Sequence, residues 1–257
     1  MPANRWLLQV LYAIGTSYLC MIPLRRLPYR AAGALALAFV VASEALTGWA
    51  AGSDPEHVSW IAMLLLAGGR TPHLIIVYPT LHWLALMLLG WAWGRSLLDK
   101  PAPDTIQARR LAAAGVALLA VFGVVRGLNG YGNMALLRED GSLVQWLHVS
   151  KYPPSISYIT LELGLMCLAL SALFALLRRF APSPRNVLVV LGQTPMFFYL
   201  LHFPLLAGTA HLLGVDHRLG LAATYAGALG AVVVLYPACR AYRGYKATHK
   251  NGWARFI

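Results

Sequence analysis

Residues 156–177 read ISYITLELGLMCLALSALFALL, and Arg178 and Arg179 follow at once. Glu162 is the only formally charged residue in that run. At about 1.5 Å of rise per residue, such a helix matches the thickness of a bilayer's hydrocarbon core. The stretch is therefore read as a transmembrane helix rather than the core of a soluble domain. Working outward by the same criterion gives apolar runs at 6–24, 31–51, 76–98, 108–128, 186–210 and 219–238. The expected fold is an all-α polytopic transmembrane bundle of about seven spans, a single integral membrane domain over residues 1–257. The piece Trp60–Ala67 is too short to cross and ends at Gly68, Gly69 and Arg70, so it is expected to be interfacial or re-entrant.

Composition supports this reading. Apolar residues make up 59% of the chain and charged residues 12%, against about a quarter charged in soluble domains, and mean hydropathy is +0.61. The net charge of +12 does not indicate nucleic acid, because the basic residues fall in short clusters between apolar runs. Cys20, Cys167 and Cys239 have no paired spacing, so neither a disulfide framework nor a metal site is expected.

The basic clusters also set an orientation, since cytoplasmic loops are rich in Lys and Arg. Arg25, Arg26 and Arg30 follow the first run, Arg95, Lys100, Arg109 and Arg110 the third, and Arg178, Arg179 and Arg185 the fifth. Arg240, Arg243, Lys246, Lys250 and Arg255 follow the last. The other loops hold Asp54, Glu56, Glu139, Asp140 and Asp216. The C-terminus is thus expected in the cytoplasm and Met1–Arg5 outside. No cleavable signal is evident, and a chain starting outside in this way is expected to lack an odd number of preceding helices.

Ionisable groups inside a membrane are expensive and are functional candidates by default. His202 stands in the sixth run, with Pro204 weakening the helix just beyond it. A neutral imidazole there is a candidate general base; a hydrogen bond to a neighbouring helix is the alternative. Arg126 precedes Gly127-Leu-Asn-Gly-Tyr131-Gly132, a turn-forming stretch, and is expected either to bind a ligand or to snorkel. Lys151-Tyr152-Pro153-Pro154-Ser155 stiffens the entry to the fifth run and holds Lys151 and Tyr152 at its outer mouth. Ser142–His148 is expected to lie on the surface with Leu143, Trp146 and Leu147 inward. Glu162, about two turns into its run, is expected to be neutral or paired, with Arg126 and His202 as the available partners. Glu44, His82 and Gln193 are weaker candidates. Gly90-x-x-x-Gly94 and Gly123-x-x-x-Gly127 allow close helix packing. No P-loop, GxSxG, HExxH or Cys/His metal pattern occurs.

Five blocks together carry a family resemblance. They are Leu11-Tyr-Ala-Ile-Gly15, Val77-Tyr-Pro-Thr-Leu-His-Trp83 running to Gly90-Trp-Ala-Trp-Gly94-Arg95, Arg126-Gly-Leu-Asn-Gly-Tyr-Gly132, Lys151-Tyr-Pro-Pro-Ser155 and Leu191-Gly-Gln-Thr-Pro-Met-Phe-Phe-Tyr-Leu-Leu-His202. In order and spacing, with the basic tail Lys246–Ile257, they resemble the bacterial membrane family related to heparan-α-glucosaminide N-acetyltransferase. The resemblance implies a transmembrane acetyltransferase fold using acetyl-CoA from the cytoplasm to acetylate a sugar amine on the other side. It also implies a further block of about three N-terminal helices bearing the histidine thought to accept acetyl, a block this sequence lacks. The chain departs from the family pattern at Gln193, His82, Asn133, Glu162 and Ala207.

The expected function is that of a membrane acyltransferase-like protein of the bacterial inner membrane, acting on a small-molecule or cell-envelope sugar substrate. His202 would be catalytic, and Arg126, Lys151, Tyr152, Tyr199 and Glu162 would bind substrate. Acetyl-CoA is the co-substrate and no metal is required. The lipid bilayer is the expected partner and nucleic acid is not, while a homo-oligomer is left open. The alternatives are a non-catalytic transporter or binding protein, for which Pro195 and Pro204 give broken helices, and a truncated inactive relative.

Overall fold

In a medium without water every backbone N–H and C=O must be satisfied within its own segment, so long apolar runs become helices. The computed structural model describes residues 6–52, 58–215 and 220–249 and divides into two units, Met1–Leu176 and Leu177–Ile257.

The first unit runs β1 (Trp6–Leu8), α1 (Val10–Leu24), α2 (Tyr29–Ala51) and α3 (Trp60–Ala62), the last continued by a π turn (Met63–Ala67). Then come β2 (Gly69–Arg70), β3 (Leu74–Ile76), α4 (Thr80–Asp99), α5 (Asp104–Leu128), α6 (Leu143–Leu147) and α7 (Ile156–Leu177). The second unit holds α8 (Val187–Gln193), α9 (Pro195–Leu212) and α10 (Leu221–Thr248).

Among the described residues four helices, α2, α5, α7 and α10, are long and apolar enough to cross a membrane, and a fifth crossing results if α8 and α9 count as one. The expected count of about seven is not reached, for physical reasons that differ by element. Trp6–Leu8 leaves the helix to pair in parallel with Leu74–Ile76, so α1 has 15 residues and spans only about 22 Å. β2 completes the three-stranded sheet by pairing antiparallel with β3. α4 is 20 residues long, but His82, Trp83, Trp91, Trp93, Arg95 and Asp99 dilute its apolar character. The run at 186–210 breaks at Thr194, where the helix axis turns by 96°. There Pro195, with no N–H to donate, starts α9 instead of continuing α8.

The core of the first unit lies among α1, α2 and α4, with Met21, Ala32, Ala36, Val40, Leu84, Ala85 and Leu88 buried and Ile159 of α7 added. Small residues let these helices approach closely, which is how packing is gained where lipid is as apolar as Leu. Outward-facing Leu37, Val116 and Leu165 are exposed at 57%, 61% and 51%. In water each would forgo roughly half of the 1.5–3 kcal/mol that full burial of such a side chain gains, whereas a hydrocarbon surround removes that loss.

Among the helical glycines of the described residues, the tightest contact with a neighbouring helix is at neither expected spacing. A Cβ placed on Gly90, Gly94 or Gly123 would meet nothing within 4 Å. One on Gly115 of α5 would lie 2.8 Å from Leu168 Cγ and 2.9 Å from the Gly164 carbonyl oxygen, and one on Gly164 of α7 would lie 2.9 Å from Leu119. Gly115 and Gly164 thus let α5 and α7 approach closely, and Ser171 Oγ of α7 donates to the Ala108 carbonyl of α5 at 2.8 Å.

In the second unit Asn186 caps α8 by accepting from the Leu188 N–H at 2.9 Å. α10 ties down the segment before α8: Tyr236 Oη donates to the Arg185 carbonyl at 2.6 Å and Arg243 to the Pro184 carbonyl at 2.6 Å. Phe197 stacks on Tyr242 with centroids 4.2 Å apart.

Candidate functional site

The segment between α5 and α7 is organised by two arginines. α5 ends at Asn129, which takes the left-handed conformation at φ 52°. The Asn129 side chain brackets Arg138, accepting from its N–H at 2.6 Å and donating to its carbonyl at 2.9 Å. Arg138 returns to the last turn of α5, donating to the Arg126 and Gly127 carbonyls at 2.9 and 3.2 Å. Its guanidinium also covers the Trp146 ring at 4.3 Å. A cation is favoured there because the final carbonyls of a helix have no partner and carry the negative end of its dipole.

Arg126 performs the same office for α6. It is fully buried, and its five N–H donors meet five acceptors. Nε donates to the Trp146 carbonyl at 3.3 Å. Nη1 donates to Asn133 Oδ1 at 3.1 Å and the Leu136 carbonyl at 2.7 Å. Nη2 donates to the Gln145 and His148 carbonyls at 2.6 and 2.7 Å. Arg126 therefore neither snorkels nor has a donor left for a ligand, and the substrate contact expected of it is replaced by a structural role. In the five-residue α6 Gln145 and Trp146 are partly buried; Leu143 and Leu147, expected inward, are exposed. The α6 end is held by its carbonyls on Arg126 rather than by an apolar face.

Glu44 of α2 anchors the glycine stretch, its carboxylate accepting from the N–H groups of Gly132 and Ala135. Gly132 is required at φ +95°, where a Cβ would also lie 2.6 Å from Val125. Tyr131 Oη donates to the Val41 carbonyl at 2.6 Å. Asn133, fully buried, donates to the Gly130 and Val125 carbonyls at 3.0 and 3.3 Å.

On this support stands the mouth of α7. Ser150–Ser155 forms a tight turn with a cis Tyr152–Pro153 peptide. The Ser155 N–H donates to the Ser150 carbonyl at 2.9 Å and Ser150 Oγ to the Pro153 carbonyl at 3.0 Å. Lys151 and Tyr152 are both exposed on it. Lys151 Nζ sits 5.3 Å from the centre of the Tyr152 ring, and Tyr152 Oη is 2.8 Å from Tyr78 Oη. Burial pulls the Lys151 ammonium down, but its hydrogen bond to Tyr152 and the charges of Tyr158, Tyr152 and Glu162 outweigh this and raise its pKa. Glu162, exposed on α7 one turn beyond Tyr158, thus acts on Lys151; Arg126, one of the partners expected for it, is fully engaged elsewhere. The sequence reading missed Tyr78, Tyr158 and Arg138. Tyr78 lay within the quoted Val77-to-Trp83 block, whereas nothing local marked Arg138.

His202 and Tyr199 belong to the second unit and are described there alone. His202 Nδ1 lies 2.7 Å from the Tyr199 carbonyl and 3.2 Å from that of Phe198. Carbonyl oxygens only accept, so Nδ1 carries the proton and Nε2 presents a lone pair. Among the described residues Nε2 has no hydrogen-bond partner, so the expected bond to a neighbouring helix is absent there. The Phe198 ring is parallel to the imidazole at 5.6 Å and the Tyr199 ring is tilted at 5.4 Å. His202 is half-buried. This is an imidazole with its tautomer fixed by its own helix and its basic nitrogen open.

His82, by contrast, is 1% exposed, with Nε2 3.3 Å from Thr47 Oγ1 and the Phe39 ring edge-on at 5.4 Å. It belongs to the packing of α4 on α2.

Comparison with protein-family models, with curated proteins and with solved structures finds no match for this chain.

Proposed function

We propose that this chain is a membrane-embedded acyltransferase-like protein that moves an acetyl group from acetyl-CoA to an amine or hydroxyl of a cell-envelope sugar. The observation that carries the reading is His202, an imidazole among apolar helical residues with Nδ1–H committed to the Tyr199 carbonyl and Nε2 open. In the proposed step Nε2 takes a proton from the acceptor as its N or O attacks the acyl carbonyl carbon. The new C–N or C–O bond forms, the thioester C–S bond breaks, and the imidazolium returns its proton to the departing thiolate. Tyr199 orients the base through its carbonyl. Within the first unit, Lys151, Tyr152 and Glu162 offer a cation, a phenol and a carboxylate, a set suited by itself to binding a polar sugar. Arg126 holds the supporting segment in shape instead of touching substrate.

In this reading the chain sits in a bacterial inner membrane with its C-terminus in the cytoplasm. The count of about seven crossings is completed by α1, α4 and the bent α8–α9 pair. A second reading, a transporter or binding protein without chemistry, is favoured by that bend, because broken helices present unpaired backbone groups to a bound solute.

The test is purified protein in liposomes, given acetyl-CoA labelled in the acetyl group and an envelope sugar extract. Acetyl transfer that falls about 100-fold or more in His202→Gln supports the first reading. Saturable binding of a solute with no transfer at any acyl-donor concentration selects the second.

A further inference from the structure

We infer that the end of the first unit where α1, the α1–α2 turn and α4 meet is a binding site for one anionic phospholipid, with the phosphate and an acyl chain held in two adjoining cavities. The first cavity, about 690 Å³, is lined by Arg25 and Arg26 from the turn, Arg95 and Asp99 from α4, and the rings of Tyr29 and Trp91. Three guanidiniums against one carboxylate leave this mouth positive. Asp99 reaches Arg95 only loosely, at 3.7 Å, with both side chains about half exposed. The Arg25 and Arg26 side chains make no hydrogen bond or ion pair among the described residues. Free guanidinium forks at a helix end suit a phosphate monoester or diester, which they bind in pairs of parallel hydrogen bonds.

The second cavity, about 590 Å³, shares Arg25 and Trp91 with the first and runs along α1 and α4 between Leu19, Ile22 and Met87. Leu19 and Ile22 stay 67% and 52% exposed there. A cationic pocket opening into an apolar groove matches a molecule with a charged head and a hydrocarbon tail. Trp91, common to both, stands where an aromatic ring marks the boundary between headgroup and chain. A soluble phosphate would leave the apolar groove empty, and a lipid without net negative charge would leave the excess positive charge of the mouth unmatched. Juxtamembrane arginines are attracted to anionic leaflets by the same electrostatics.

The test uses the full chain in detergent micelles. Thermal stability and bound lipid, the latter by native mass spectrometry, are measured with phosphatidylglycerol, phosphatidylcholine or inorganic pyrophosphate added. The inference expects phosphatidylglycerol to be retained and stabilising and phosphatidylcholine not. It expects the Arg25→Gln/Arg95→Gln pair to weaken that binding about tenfold or more, while Arg178→Gln/Arg179→Gln leaves it unchanged. Ile22→Asn should weaken long-chain but not short-chain phosphatidylglycerol. Equal response to both lipids overturns the inference, as does equal loss in the two arginine pairs. Stabilisation by pyrophosphate that matches phosphatidylglycerol also overturns it, and identifies the ligand as a soluble phosphate.

Discussion

Replacing Arg126 with Ala should open the segment between α5 and α7 while leaving the helices in place. The substitution removes five hydrogen bonds at once and strands the Trp146, Leu136, Gln145 and His148 carbonyls together with Asn133 Oδ1. A buried acceptor left without its partner costs about 1–3 kcal/mol, so the lower bound for five is about 5 kcal/mol. Four of the five bonds are only partly buried, and water entering the vacated space recovers some of this, which brings the net loss to about 3–5 kcal/mol. That is comparable with the stability of a whole small domain, so the segment should open locally before the helices unfold. Arg126→Lys should fall between, since one ammonium offers at most three donors from a single point. The assay is backbone hydrogen exchange in detergent, read at the amides of Leu136, Trp146, His148 and Ser155, which donate within this segment. Arg126→Ala should lower their protection by about 100-fold or more, with α2 and α4 unchanged. Protection within threefold of the parent protein would refute the network as the organiser of this region.

Glu44→Gln keeps one acceptor oxygen where the carboxylate offered two, leaving the Gly132 or Ala135 N–H unpaired; thermal unfolding should show a loss of about 1–3 kcal/mol, and an unchanged midpoint would count against the anchor. Gly115→Ala drives a Cβ to 2.9 Å from the Gly164 carbonyl oxygen, backbone that cannot swing aside, and should cost about 1–3 kcal/mol. Gly123→Ala, with open space around it, should change stability by no more than about 0.5 kcal/mol, and equal effects at the two sites would contradict the packing. Glu162→Gln removes one of the charges that raise the Lys151 pKa, so Lys151 should titrate at lower pH, as read by the pH dependence of its reductive methylation or by its NMR shift. The sign for stability follows: with the folded pKa raised, the Lys151 contribution is complete below the unfolded lysine pKa and disappears as pH rises through the folded one. A stability that grows through that alkaline window would contradict it.

The helical class and the long spans at α2, α5, α7 and α10 were legible because length and hydrophobicity act locally. So was Trp60–Ala67, a turn of α and a turn of π ending at Gly68, as a piece too short to cross. The small sheet was not, since Trp6-Leu-Leu reads as the start of the apolar run behind it until Leu74–Ile76 is placed beside it. Pro195 marked a break in the 186–210 run, yet nothing in the sequence distinguishes a kinked span from two helices turned by 96°. The Lys151–Tyr152 mouth and the position of His202 before Pro204 could be read from residue type and spacing. The Arg126 network could not, because four of its five acceptors are backbone carbonyls 10 to 22 residues away, and every residue has a carbonyl. The Gly115–Gly164 approach is invisible for a related reason: the glycines lie on different helices, so no spacing within one segment records it.

The most direct measurement of the central claim is release of free thiol from acetyl-CoA by purified protein in liposomes, with and without an acceptor sugar, compared between the parent chain and His202→Gln. The account predicts acceptor-dependent thiol release in step with acetylation of the sugar, reduced about 100-fold or more in the variant while its thermal midpoint stays put. Thiol release that ignores the acceptor, or a His202→Gln protein that keeps the full rate, would contradict it.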